Sequence, residues 1–143
     1  MDVICDTSFL MVLCYEPIKN MDFLESKFGK TTFLIHTAII KELTQIKRTG
    51  KIKRSKIANL ALEIIKKETE NKNFQYIKDN DSQNLLRQVD SLLLAYALQK
   101  KCPLATIDKI LIKRVLRKGS DIITLKNNKI IYLHSNNNRA EQI

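Results

Sequence analysis

The chain has 143 residues, 44% of them hydrophobic, with only three Gly and two Pro. This excludes a disordered chain and fits a single compact fold with a real core. Lys and Arg number 25 against 15 acidic residues, a net charge of +10, so the surface carries excess cation and the natural partner is a polyanion such as nucleic acid.

Val3-Ile4-Cys5 is a short apolar run that reads as a buried strand, and it stops at Asp6. An ionised carboxylate is costly to bury unless something pairs with it. In an open parallel sheet, the carboxyl ends of the strands are where ligands bind. Asp6 is therefore either the cap of the next helix or the seat of a site. Thr7 to about Leu13 forms a short helix, with Pro17 ending or redirecting it, and Asn20 to Phe28 forms another, stopped by Gly29. Thr32 to Ile35 is a second strand. Thr37 then caps a helix from Ala38 to about Lys47. Gly50 breaks the chain, and Lys53 to Glu70 is a long amphipathic helix burying Ile57, Leu60, Ala61, Ile64 and Ile65.

Phe74 to Ile77 is a third strand, Asp79 to Ser82 a polar turn, and about Gln83 to Lys100 a helix. Leu104 to Thr106 is a very short fourth strand, and Lys109 to Lys118 is a basic helix closed by Gly119. Ile122–Thr124 and Ile130–Tyr132 are the last strands, joined by a turn at Asn127-Asn128. Strands alternating with helices imply a three-layer α/β/α sandwich around a mostly parallel sheet. The expected organisation is one domain over residues 1–134, then a frayed polar tail over 135–143. No apolar run approaches a membrane span and no signal segment precedes Asp6, so the chain is expected to be cytoplasmic, with no membrane partner. Cys5, Cys14 and Cys102 lack metal-ligand spacing and read as core or near-core thiols.

Four acids mark strand exits or the helices beside them. Thr106-Ile107-Asp108 repeats the opening arrangement of an apolar strand running into Asp, Asp90 lies in the helix before that strand, and Glu42 sits one turn into the helix after the second strand. Each alone is readable as a solvated helix residue or a cap. Four carboxylates sharing one site need counter-charge, because each raises the pKa of the others. A hard divalent cation supplies it, and one or two such ions can activate water and stabilise the leaving oxygen of a phosphodiester. Basic surroundings and an acidic metal site then fit one substrate, a nucleic-acid strand.

Asp6-Thr7-Ser8, Glu42, Asp90 with Leu92–Ala97, and Thr106-Ile107-Asp108 together resemble the PIN-domain nucleases in order and spacing, over nearly the whole chain. The resemblance implies cleavage of RNA with Mg²⁺ or Mn²⁺. It makes Asp6, Glu42, Asp90 and Asp108 the catalytic acids, with Asp6, Asp90 and Asp108 as metal ligands and Ser8 and Thr106 as supporting hydroxyls. Ile107 departs from the pattern, since many relatives have a polar residue there. The stretch Leu104–Asp108 followed by a basic helix looks closer to archaeal relatives of the ribosomal-RNA-processing PIN proteins than to VapC-type toxins.

Lys47 and Arg48, in the basic segment that runs on to Lys56 around Gly50, and Lys109, Lys113, Arg114 and Arg117 after Asp108 are candidate RNA contacts; singly each is a solvated charge. His36 and His134 receive no role, and Tyr76, Tyr96 and the five Phe read as core. A second copy of the chain, an antitoxin and a ribosome-assembly protein stay open as further partners. A haloacid-dehalogenase-type phosphatase needs an Asp where this chain has Ser8, and a receiver domain finds no match. A VapC-type toxin and a non-catalytic PIN-like RNA-binding or assembly factor are the rival functions; the intact acidic set argues against the latter.

Overall fold

The computed structural model describes residues 1–78, 88–135 and 140–141. Its strands are β1 (Asp2–Cys5), β2 (Thr32–His36), β3 (Phe74–Ile77), β4 (Leu104–Ala105), β5 (Ile122–Lys126), β6 (Lys129–Leu133) and β7 (Ala140–Glu141). The helices are α1 (Thr7–Tyr15), α2 (Phe23–Phe28), α3 (Thr37–Thr49), α4 (Ile52–Glu70), α5 (Val89–Lys100) and α6 (Lys109–Arg117). One sheet runs in the order β3-β2-β1-β4-β5-β6-β7. β1 to β5 pair in parallel, and β6 and β7 add antiparallel strands at one side.

This order places the site. From β1 the chain winds outward through β2 to β3, then returns across the sheet to β4 and winds outward the other way. Crossovers between parallel strands are right-handed, so the two directions of travel put helices on opposite faces. Helices α1, α3 and α4 pack together on one face, while α5 and α6 contact β1, β4 and β5. The fold is the expected three-layer α/β/α sandwich. Between β1 and β4 the winding reverses, and the chain ends of these two strands diverge to open a crevice.

The core is continuous from Val3, Ile4 and Cys5 in the central strand to Leu93, Leu104, Leu111 and Ile122. β1 and β4 are buried on both sides and therefore read as apolar runs without alternation. The Asn127-Asn128 turn has both residues at positive φ, 53° and 60°, the two-residue geometry that suits the twist of an antiparallel hairpin. Cys5 and Cys102 are buried and Cys14 partly so, all three as free thiols.

Several local expectations need correction. The cap of α3 is His36, whose Nδ1 accepts from the Ala38 N–H at 2.9 Å; Thr37 is already helical. Helix α2 starts at Phe23, because the Asn20 side chain is committed to both backbone groups of Ile130. Leu60 is 37% exposed, since Ala58, Ala61 and Ile65 form the buried stripe of α4. Tyr76 is also exposed, on the edge strand. Ala140–Glu141 pairs with β6 instead of fraying. The expected turn at Asp79–Ser82, the first residues of the helix from Gln83, and the rest of the tail beyond Ser135 lie outside the described residues.

Candidate active site

Asp6 leaves β1 at the crevice and is the N-cap of α1, with Oδ1 accepting from the Thr7 N–H at 2.8 Å. Its residue is only 7% exposed, so its other oxygen must also be satisfied. Two hydroxyls do this. Ser8 Oγ donates to Oδ2 at 2.8 Å, and Thr106 Oγ1, from the far side of the crevice, donates to the same atom at 2.7 Å.

Thr106 joins the two strand ends. While its hydroxyl donates to Asp6, its oxygen accepts from the Asp108 N–H at 3.1 Å. Ser8 Oγ accepts in turn from the Ile107 N–H at 3.3 Å. Asp108 is the N-cap of α6, and its Oδ1 accepts from the Ile110 and Leu111 N–H groups at 2.9 and 3.3 Å. Both strand-end aspartates are therefore helix caps. Capping uses one oxygen of Asp108 and leaves Oδ2 outside the cap.

Glu42 and Asp90 approach from α3 and from the first turn of α5. Burial pushes the Glu42 carboxyl above the ordinary range, and the charges of Asp6 and Asp90 push it further. Burial likewise raises Asp90, followed by the charges of Asp6 and Asp108. Asp6 and Asp90 thus act on Glu42, and Asp6 and Asp108 act on Asp90, which links the four acids in a chain through Asp90. The Thr7 hydroxyl is buried with no partner in hydrogen-bond geometry among the described residues, yet lies close enough to Glu42 to lower its pKa in part.

Among the described residues, two cations act on the cluster, each countering a rise. Arg114, on α6, acts on Asp90 and donates from Nη2 to Ser91 Oγ at 2.9 Å. Arg54, in the first turn of α4, acts on Glu42. Of the expected RNA contacts, Lys47, Arg48, Lys109, Lys113 and Arg117 are exposed, whereas Arg114 is half-buried and turned toward α5. Arg54 was readable only as one of several charges near Gly50; its reach to Glu42 depends on how α3 and α4 fold back on each other. Ser91, next to Asp90, carried no sequence signal beyond that adjacency.

The donor set suits a hard cation: carboxylates and hydroxyls only, with like charges raising two of the acids. Among the described residues, no three His, Cys, Asp or Glu side chains stand close enough to enclose an ion by themselves. Mg²⁺ does not require that, because it keeps several waters and is held by one or two carboxylates plus substrate phosphate. Among the described residues no helix is long and apolar enough to cross a membrane.

A family model described as a PIN-like domain matches residues 3–128. No curated protein matches the chain. Among solved structures, the PIN domain endonuclease Utp24 is 21% identical with a TM-score of 0.65, covering 99% of this chain and 95% of that one. A domain of a functionally unknown protein from Methanocaldococcus jannaschii DSM 2661 is 16% identical with a TM-score of 0.62, covering 87% of this chain and 91% of that one. A PilT N-terminus domain protein from Sulfolobus solfataricus P2 is 14% identical with a TM-score of 0.50, covering 87% of each chain. At these identities the likeness is one of fold.

Proposed function

The chain belongs to the PIN-like domain family, and from that premise we propose that it is a divalent-metal-dependent endoribonuclease. The observation that carries this reading is the acid cluster itself. In a chain of net charge +10, Glu42 is raised by burial and by Asp6 and Asp90, and Asp90 by burial and by Asp6 and Asp108, which supports a shared acidic site. Such a cluster lowers stability unless a cation joins it. One or two of Asp6, Asp90 and Asp108 would hold Mg²⁺ or Mn²⁺ together with water and substrate phosphate, with Glu42 at the rim. When bound, the ion supplies an activated water and stabilises charge on the leaving oxygen.

The chain's own groups prepare that chemistry. Ser8 and Thr106 fix the Asp6 carboxylate in one rotamer, so its orientation is set before substrate arrives. Arg114 ties α6 to α5 beside Asp90 and so sets the distance between the two acids those helices carry. Exposed Lys109, Lys113 and Arg117 on α6 attract the RNA backbone toward the crevice. The preferred biological setting is ribosomal-RNA processing, on the resemblance of Leu104–Asp108 and the basic helix after it.

Asp108→Asn tests the assignment with the cap preserved, because Asn caps about as well as Asp. With purified protein and a labelled single-stranded RNA, Mg²⁺- or Mn²⁺-dependent cleavage should fall about a hundredfold in the variant, and chelation should abolish the wild-type reaction. Full metal-dependent activity in Asp108→Asn would sink the assignment of that residue. A wild-type protein that binds RNA without cleaving it would favour the non-catalytic reading.

A further inference from the structure

Along the first half of α4, beside the last residue of α1, runs a groove of about 480 Å³. Its lining is one aromatic ring, Tyr15, three aliphatic side chains, Ile52, Ile57 and Leu60, and two cations, Lys53 and Lys56. No acid stands among the described residues that line it. Residues 53, 56, 57 and 60 recur at helical spacing, so α4 carries a second stripe besides the buried one of Ala58, Ala61 and Ile65. That stripe is open to solvent: Ile52 is 78% exposed and Tyr15, which faces it, 48%. The exposure of Leu60 belongs to the same stripe.

Two further observations give the groove a chemistry. Lys53 Nζ stands 5.7 Å from the centroid of the Tyr15 ring, so aromatic face and cation are already paired there. Arg54, the next residue, acts on the Glu42 carboxyl in the crevice. A single turn of α4 thus meets the groove at Lys53 and the acids at Arg54. Ser55 Oγ donates to the Lys47 carbonyl at 2.5 Å and holds the end of α3 against that turn, which gathers Lys47, Arg48 and Lys51 into the same basic surroundings. An exposed ring with apolar flanks, set among cations, is the combination that binds unpaired bases.

We propose that this groove is a nucleobase platform for single-stranded RNA. One unpaired base stacks on the Tyr15 ring with Ile52, Ile57 and Leu60 around it, and Lys53 and Lys56 neutralise the phosphates on either side. A duplex cannot use the platform, because its bases are already stacked on one another. A second copy of this chain would set Lys against Lys, and that like-charge contact opposes it. The platform therefore selects unpaired strands and fixes where they lie as they approach the crevice. The inference rests on the nuclease reading for RNA as the ligand, but it requires neither a metal nor cleavage.

Two probes of equal charge decide it, both used in EDTA: a short riboadenylate oligomer, and the same ribose-phosphate backbone without bases. Each is titrated into the full chain carrying labelled Ile methyl groups. Ile52 and Ile57 report on the groove, and Ile107 and Ile110 report on the crevice. The base-bearing probe should move the groove methyls and bind about tenfold more tightly than the abasic one. Tyr15→Ala should bring the two probes to one affinity, whereas Tyr15→Phe, which keeps the ring, should keep the preference. Lys53→Gln with Lys56→Gln should weaken both probes and flatten the salt dependence by roughly 0.7 per lost phosphate contact. Equal binding of the two probes by the wild type would overturn the proposal, and that comparison needs no variant to fold. So would movement of Ile107 and Ile110 in place of the groove methyls, or a preference that survives in Tyr15→Ala. Shifts of Ile52 and Ile57 that grow with protein concentration in the absence of RNA would overturn it in favour of a second copy of this chain. Cleavage with Mn²⁺ by a protein whose groove methyls stay still would sink the platform and leave the nuclease reading standing. Groove shifts selective for the base-bearing probe, without Mn²⁺-dependent cleavage, would support the platform and sink the nuclease reading.

Discussion

Two turns of the same construction face each other across the crevice: β1 into Asp6 into α1, and β4 into Asp108 into α6. Each leads from a short buried strand to a capping aspartate: Asp6 follows β1 directly and accepts from the Thr7 N–H, while Asp108 follows β4 after Thr106 and Ile107 and accepts from the Ile110 and Leu111 N–H groups. Their surroundings differ. Asp6 is buried and spends both oxygens on protein donors, one of them from 100 residues away. Asp108 is exposed and spends one oxygen on its cap. A buried carboxylate has to be satisfied completely by the protein, whereas an exposed one can leave its remaining demand to water, an ion or a substrate. The same kind of turn thus yields a carboxylate of fixed orientation on one side and a freer one on the other, and Thr106 joins the pair by donating to the Asp6 carboxylate and accepting from the Asp108 N–H.

The contrast predicts unequal losses on truncation. Asp6→Ala removes a cap and strands the hydroxyls of Ser8 and Thr106, and should cost about 2–4 kcal/mol in denaturant unfolding. Asp108→Ala loses only a cap and should cost about 1 kcal/mol. Equal costs would mean that burial does not separate the two turns. Next in size is Thr106→Val, which removes the shared hydroxyl and should cost about 2 kcal/mol. Ser8→Ala, at the partly exposed edge, should cost about half that, and the reverse order would place the anchor on the Ser8 side.

A smaller effect of opposite sign is expected at the neighbouring acids. The folded protein raises the Glu42 carboxyl through burial and the charge of Asp6. A raised acid favours the folded state below its unfolded pKa, near 4.5, and loses that contribution as pH rises through its folded value. Without metal, Glu42→Gln should therefore melt above wild type at neutral pH, with the gap closing as pH falls toward about 4.5. Mn²⁺ should stabilise wild type more than the variant. A gap that widens on acidification would show that Glu42 is held as a favourable anion. The smallest effect concerns RNA affinity. Replacing Lys109, Lys113 and Arg117 should flatten the dependence of log affinity on log salt by roughly 0.7 per lost phosphate contact on a single strand. An unchanged slope would move the RNA path to Lys47 and Arg48.

How much of this could be read beforehand depends on whether the signal was local. The strand-end acids and the β/α alternation are visible because each is written in a few consecutive residues. The crevice also follows from topology, since β1 and β4 are the strands between which the winding reverses. Failures came where tertiary packing chose between local equivalents. Thr37 is the residue type that favours the cap, yet the backbone places His36 at the turn, where its ring nitrogen does the capping. Leu60 lies one position off the stripe that α4 presents to its neighbours, a rotation that periodicity alone does not fix. The orientations of Arg114 toward Ser91 and Arg54 toward Glu42 are set by how α6 packs beside α5 and how α4 folds back on α3, and no composition rule reaches them.

The central place of β1 carries a consequence for how the molecule comes into being. Its first partner, β2, is some thirty residues downstream, but its second, β4, follows only after α3, α4, β3 and α5. Parallel pairing over such separation is slow, because the intervening chain must be organised before the contact is rewarded. During synthesis, which proceeds from the N-terminus, Asp6 emerges 100 residues before its partner hydroxyl on Thr106. A nascent chain stopped before β4 would display Asp6 without its crevice. Any reactivity seated there would consequently begin only after β4 has been made and paired with β1.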